Sequence, residues 1–320
     1  MNILEKIIVH KKEELAFKAD YYICLESAFK KKELRVPESK DFLKSLQEKG
    51  EMPKLIAEIK KCSPSKGEIF PQGDILRIAE IYEKSGAAAI SVLSDEKFFS
   101  GSINDVATVS QKVRIPVLRK DFIMEDSQIL EAALYGASAV LLMVSVLKTQ
   151  KRVRIFREYT EALGLHALVE TKSEAEIELA VQAGAKIIGV NSRDFEDLSV
   201  DLDRLPSLLS KIPEGIVRVA ESGIYTPEDI EKLVPYCDAI LVGTSFMKTQ
   251  DYGEMGKLVK TFRGKGNLNF AVSEIRKCFS FVKRQGGGMR ELTLFLGQNE
   301  KFHLKKQLLF SLRKKGKRNE

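Results

Sequence analysis

The stretch Ala183-Gly184-Ala185-Lys186-Ile187-Ile188-Gly189-Val190-Asn191-Ser192-Arg193 decides the fold: a turn of small residues, an apolar run and a polar end. Glycine suits the end of a helix because it accepts positive φ. The alanine after it lets that helix lie close to a sheet. The same grammar recurs at Ser85-Gly86-Ala87 before 88–95, Tyr135-Gly136-Ala137 before 138–144 and Cys237-Asp238-Ala239 before 240–245. The spacing is roughly fifty residues, a period that marks a repeating unit. Four more candidate strands fall between these, at 55–61, 116–122, 166–171 and 217–222. Apolar residues at helical spacing separate them, as from Asp74 to Tyr82 and from Ser173 to Ala180. Ser173 and Asp126 read as N-caps, and Thr226-Pro227-Glu228-Asp229 as a capped helix start with proline in first position. Eight strands alternating with eight helices predict an α/β fold, the (β/α)8 TIM barrel. The rival, an open doubly wound sheet, calls for G-x-G-x-x-G after the first strand. Here that loop is Lys61-Cys62-Ser63-Pro64-Ser65-Lys66-Gly67, which lacks it.

Working outward, residues 1–48 read as an N-terminal helical extension, with an amphipathic segment at 3–17 and a short helix at 41–46. A barrel needs no such preface, so the extension is expected to cap one end. The barrel is assigned to 49–264, its last helix at 252–262. Residues 265–320 form a basic, poorly patterned C-terminal tail, and high charge without pattern predicts poor order. Of the net charge of +7, the tail holds fourteen Lys and Arg against four Asp and Glu. Residues 1–264 carry 38 basic and 41 acidic groups, so no nucleic-acid partner is expected of the barrel. The tail alone could attract a weak acidic partner.

Hydrophobic content of 44% and charged content of 30% belong to an ordinary globular chain. No apolar run approaches the roughly 20 residues of a membrane span, and the N-terminus lacks a secretory pattern. A cytoplasmic protein, monomer or homodimer, is the expectation. Cys24, Cys62, Cys237 and Cys278 form no C-x-x-C pair, and His10, His166 and His303 are dispersed. Neither a disulfide framework nor a metal site is expected.

In such barrels the chemistry occurs at the carboxyl ends of the strands. Glu58 and Lys60 end the first strand, and residues two apart in a strand share a face. Desolvating an ion is costly unless it is paired, so the two read either as a structural ion pair or as part of a site. Recurrence favours the site. Lys120, Glu170, Asn191 with Arg193, and Glu221 with Ser222 each close another apolar run. Alternation puts Lys120 on the face opposite Arg119 and Asp121. Glu221-Ser222-Gly223-Ile224 and Val242-Gly243-Thr244-Ser245 end the last two strands, where this fold often binds phosphate. Carboxylates facing lysines suit proton transfer on an anionic phosphate ester.

The strings Ile56-Ala57-Glu58-Ile59-Lys60-Lys61-Cys62-Ser63-Pro64-Ser65-Lys66-Gly67, Leu118-Arg119-Lys120-Asp121-Phe122-Ile123, Leu168-Val169-Glu170, Gly189-Val190-Asn191-Ser192-Arg193 and Ala220-Glu221-Ser222-Gly223-Ile224, with Val242-Gly243-Thr244-Ser245, resemble the indole-3-glycerol-phosphate synthase family. The resemblance runs from the N-terminal helices to about residue 264. It implies closure of an indole ring with loss of carbon dioxide and water, without metal or organic cofactor. It further implies Lys120 as general acid, Lys60 and Glu58 as a pair meeting the substrate carboxylate, and Glu170 as the group that helps expel the hydroxyl. Ser63, Asn191 and Arg193 would orient the carboxylate-bearing ring, and Glu221 would fix lysine or substrate polar groups. Phe99 and Phe122 would sandwich the ring, while Ser222, Gly223, Gly243 and Thr244 would hold the phosphate. Cys62 stands where many relatives carry alanine, and the tail matches nothing in the family. Alternative readings are another phosphate-binding barrel of the tryptophan or histidine pathways, or a non-catalytic barrel with a nucleic-acid-binding tail. Phosphoribosylanthranilate isomerase would need a catalytic cysteine ending strand one, where this chain has lysine.

Overall fold

In the computed structural model the repeat closes on itself; residues 1–264 are described, except 49, 51, 195 and 196. The expectation for the tail at 265–320 lies outside the described residues. Helices α1 (Ile3–Phe17), α2 (Ala19–Lys30) and α3 (Phe42–Gln47) precede β1 (Lys54–Ile59). A small antiparallel hairpin follows, β2 (Cys62–Ser63) with β3 (Gly67–Glu68), then α4 (Ile75–Ser85). Next come β4 (Ala89–Leu93), α5 (Glu96–Phe99), α6 (Ile103–Lys112), β5 (Val117–Lys120) and α7 (Asp126–Leu134). The chain continues through β6 (Ala139–Met143), α8 (Val144–Leu147), α9 (Gln150–Ala162), β7 (His166–Thr171), α10 (Glu174–Gln182) and β8 (Ile187–Asn191). The described part ends with α11 (Leu205–Leu209), β9 (Val217–Glu221), α12 (Pro227–Leu233), β10 (Ala239–Val242), α13 (Thr244–Met247) and α14 (Tyr252–Phe262). Strands β1 and β4 to β10 are all parallel and close a barrel, β1 pairing with both β4 and β10.

Strand alternation sorts the core into two layers. Inward residues Ile56, Ala89, Leu118, Ala139, Leu168, Ile187, Val217 and Ala239 belong to one buried cluster. Outward neighbours such as Leu55, Ala57, Ile90, Val117, Val140 and Ile188 belong to another, shared with the surrounding helices. The turns explain the repeat in the chain. Gly86, Gly136 and Gly184 take φ of 95°, 80° and 77°, and the alanine after each donates its N–H back into the helix, as Ala87 does to the Tyr82 carbonyl.

Two expectations need correction. The N-cap of α7 is Glu125, not Asp126: its side chain and that of Gln128 form a reciprocal capping box, while Asp126 begins the helix. Among the described residues eight helices do alternate with the strands, α4, α6, α7, α9, α10, α11, α12 and α14, and the four-residue α5, α8 and α13 are additions between them, too short to show an apolar period. Finally, the N-terminal extension reaches both ends of the barrel. Phe42 and Leu46 of α3 are buried with the inner cluster, and Asp41 lies 3.3 Å from His166 at the start of β7, so α3 plugs the amino end. Lys11 of α1 instead meets Asp95 and Asp121, just past β4 and β5 at the carboxyl end. Among the described residues no helix is long and apolar enough to cross a membrane.

Candidate active site

Inward alternation delivers one charged side chain after another to the carboxyl end. The Lys120 ammonium donates to Glu170 at 3.0 Å and faces Glu221 at 3.3 Å. Across the mouth Lys60 donates to Glu58 at 2.6 Å. All three glutamates are buried, with Glu221 only 1% exposed. Two glycines make room for them. A Cβ at Gly189 would collide with the Glu221 carboxylate, and one at Gly243 would lie 2.7 Å from the Glu58 carboxylate. Thus β8 and the end of β10 give up side chains so that neighbouring strands can place carboxylates inside.

The electrostatics follow from this crowding. Burial, reinforced by the charge of Glu170, pushes the Glu221 carboxyl up to about 8, although Lys120 pulls the other way. Burial alone would lower the Lys120 pKa, but Glu170, Glu221 and Glu58 outweigh it and hold the ammonium above its ordinary value. Lys120 is therefore a charged donor at neutral pH, flanked by one carboxyl poised to be protonated.

All fourteen residues named from the sequence line one cavity of about 940 Å³, counting the space open to solvent at its mouth. Asn191 accepts from the Arg193 backbone N–H at 2.9 Å, and the Arg193 guanidinium donates to the Leu198 carbonyl at 2.9 Å, which ties down the loop after β8. Ser63, in the hairpin, is buried with no hydrogen-bond partner for its hydroxyl among the described residues. Ser222 and Gly223 take consecutive left-handed φ of 66° and 74°, and Ser245 donates to the Ile224 carbonyl at 3.0 Å. The loops after β9 and β10 are thus fastened together, with the first turn of α13 beside them, where backbone N–H groups have no partner inside the helix. Phe99 and Phe122 stand 6.1 Å apart, within the roughly 4.5–7 Å of an aromatic pair in contact, so they form one wall rather than the two sides of a slot.

Sequence reasoning missed the cavity's apolar floor and a supporting shell. Leu93, Leu141, Met143 and Leu241 line it from inward positions that the alternation could have supplied. Behind it, Arg119 donates to Asp121 at 3.0 Å and to Glu131 at 2.8 Å, on the outward face. Burial opposes ionisation of Asp121, yet Lys11 and Arg119 override it and hold its carboxyl below the usual range. Lys11 was not singled out because a lysine on an amphipathic helix ordinarily points to solvent. Cys62 pairs through its backbone in the hairpin and is only partly buried. Among the described residues no group of three or more His, Cys, Asp and Glu could hold a metal ion.

The comparisons point one way. A family model described as indole-3-glycerol phosphate synthase matches residues 4–258. An indole-3-glycerol phosphate synthase from Chloroherpeton thalassium is 41% identical over 260 residues, covering 80% of this chain and 98% of that protein. One from Thermoanaerobacter pseudethanolicus is 40% identical over 266 residues, covering 82% and 100%. One from Streptococcus pneumoniae is 41% identical over 224 residues, covering 70% and 86%. Among solved structures, the N-acetylmannosamine-6-phosphate 2-epimerase of Clostridium perfringens superposes with a TM-score of 0.51 at 18% identity, over 66% of this chain and 93% of that one. That likeness is one of fold alone.

Proposed function

The chain belongs to the indole-3-glycerol phosphate synthase family, and from that premise we propose how its cavity performs the family's reaction. The activity is indole ring closure in tryptophan biosynthesis, a carboxy-lyase reaction on a small phosphate ester. In it, 1-(2-carboxyphenylamino)-1-deoxyribulose 5-phosphate becomes indole-3-glycerol phosphate, carbon dioxide and water.

The observation that carries the residue assignment is the charged Lys120 ammonium, held between Glu170 and Glu221 at the centre of the mouth. The phosphate is bound at Ser222, Gly223, Gly243 and Thr244, and the carboxylate-bearing ring lies against the Phe99–Phe122 wall. Lys60 meets the ring carboxylate, with Ser63, Asn191 and Arg193 fixing its orientation. Folded back in this way, the substrate has its ring carbon beside its ketone, the near-attack geometry that ring closure requires. As the ring carbon attacks, the carbon–carbon bond forms and the carbonyl π pair moves to oxygen, which takes a proton from Lys120. The carboxylate then leaves as carbon dioxide, and its bonding pair restores the aromatic ring. Last, the hydroxyl departs as water while the carbon next to nitrogen gives up a proton. Glu170 assists that departure, and Lys60 or Glu58 completes the proton traffic. Fixed charges of both signs stabilise the cationic ring beside the developing alkoxide. Every step uses protein side chains alone. A cytoplasmic location and a monomeric or homodimeric state complete the proposal.

The purified full chain incubated with the substrate should produce indole fluorescence, with one equivalent of carbon dioxide released. Dialysis against a chelator should leave the rate unchanged. Loss of activity on chelation, restored by a divalent metal, would contradict the assignment.

A further inference from the structure

Behind the aromatic wall lies a buried charge cluster that the chemistry above does not use. Lys11, on α1, is 1% exposed, and its ammonium sits 2.8 Å from Glu14, 3.0 Å from Asp95 and 3.2 Å from Asp121. Each aspartate has a second task. Asp95 accepts from the Phe98 N–H at 2.8 Å and caps α5, the helix that ends in Phe99. Asp121 follows Lys120 directly; it accepts from the Phe122 N–H at 2.8 Å, from Ser94 at 2.7 Å and from Arg119 at 3.0 Å. One ammonium from outside the barrel therefore grips the cap of α5, the helix that carries Phe99, and the residue between Lys120 at the end of β5 and Phe122.

Stability alone does not explain such a choice. Replacing a buried ion cluster by packed apolar side chains is often neutral or stabilising. What apolar packing cannot do is hold two carboxylates, each hydrogen-bonded to a site loop, at a fixed separation. We propose that Lys11 is a positioning residue for ring closure: by bridging Asp95 and Asp121 it sets the Phe99–Phe122 wall and the seat of Lys120. The inference rests on the reading of Lys120 as the general acid.

Steady-state kinetics of the full chain test it, with Lys11→Met, Lys11→Arg, Leu46→Ala and Lys120→Ala measured together. Leu46 plugs the opposite end of the barrel, so its variant loses stability without touching the cluster. Lys11→Met should lower kcat/KM by about tenfold to a hundredfold, the scale of a small misplacement in a site, with both kcat and KM affected. Inhibition by inorganic phosphate should stay within about twofold, because the β9 and β10 loops lie outside the cluster, and Lys11→Arg should recover part of the loss. Leu46→Ala, assayed at an equal margin below its melting temperature, should keep kcat within about twofold. Lys11→Met turning over like the parent, or Leu46→Ala losing as much, would overturn the inference. If Lys11→Met fails to fold, Asp95→Asn carries the test, since it keeps the cap on α5 and removes half of the bridge. It should show the same kinetic loss, and parent-like kinetics would overturn the inference. An inactive Lys120→Ala beside a parent-like Lys11→Met defeats only the Lys11 inference. An active Lys120→Ala defeats the acid assignment itself.

Discussion

Glu221 is the residue whose protonation the fold disturbs most usefully. Burial and the charge of Glu170 push its folded carboxyl up to about 8 from the ordinary 4.5. Between those values the folded state binds more protons than the unfolded one, so this group makes stability fall as pH rises through that window. Glu221→Gln, neutral at every pH, should therefore gain melting temperature over the parent as pH increases from about 5 to 9. A constant difference across that range would contradict a raised carboxyl. Lys60 makes a different prediction. Its ammonium holds Glu58 at 2.6 Å and is proposed to meet the substrate carboxylate, so Lys60→Ala should raise KM and lower kcat together. A change in kcat alone would remove it from substrate binding.

At the scale of elements, α3 is a plug. Phe42 and Leu46 are almost wholly buried against the inner cluster, and Asp41 reaches His166 at the amino end of β7. Leu46→Ala should cost about 2–5 kcal/mol in denaturant unfolding, the range for a large core truncation. A loss under about 1 kcal/mol would mean that the plug is not part of the cooperative core. Four of the strands were legible in the chain because each is a short apolar run behind a glycine or aspartate turn, and β8 begins where the quoted stretch turns apolar; the other four showed as apolar runs between them. Lys120 was legible by alternation alone, since Arg119 and Asp121 face outward into their own network. The two-ended extension was not legible. Nothing in an amphipathic helix reveals that Lys11 turns inward, because Asp95 and Asp121, the carboxylates it meets on the barrel, lie more than eighty residues away in sequence. That Phe99 and Phe122 touch rather than flank a slot was hidden for another reason: α5 is four residues long and has no period to read.

For the molecule as a whole, all eight barrel strands and the closing helix α14 lie before residue 265, and Met1–Gly264 forms one compact unit. Truncation after Gly264 should leave turnover and melting temperature essentially unchanged; a large loss of either would give residues 265–320 a part in the enzyme. The family membership fixes the reaction, while the arrangement of Glu58, Lys60, Lys120, Glu170 and Glu221 supports the proposed assignment of the chemistry to residues. The most direct test of that assignment is the turnover of Lys120→Ala on the phosphate-ester substrate, read by indole fluorescence on protein with an unchanged melting profile. The account predicts a fall in kcat on the order of a hundredfold or more, the contribution of a general acid. Turnover within a few-fold of the parent would contradict it.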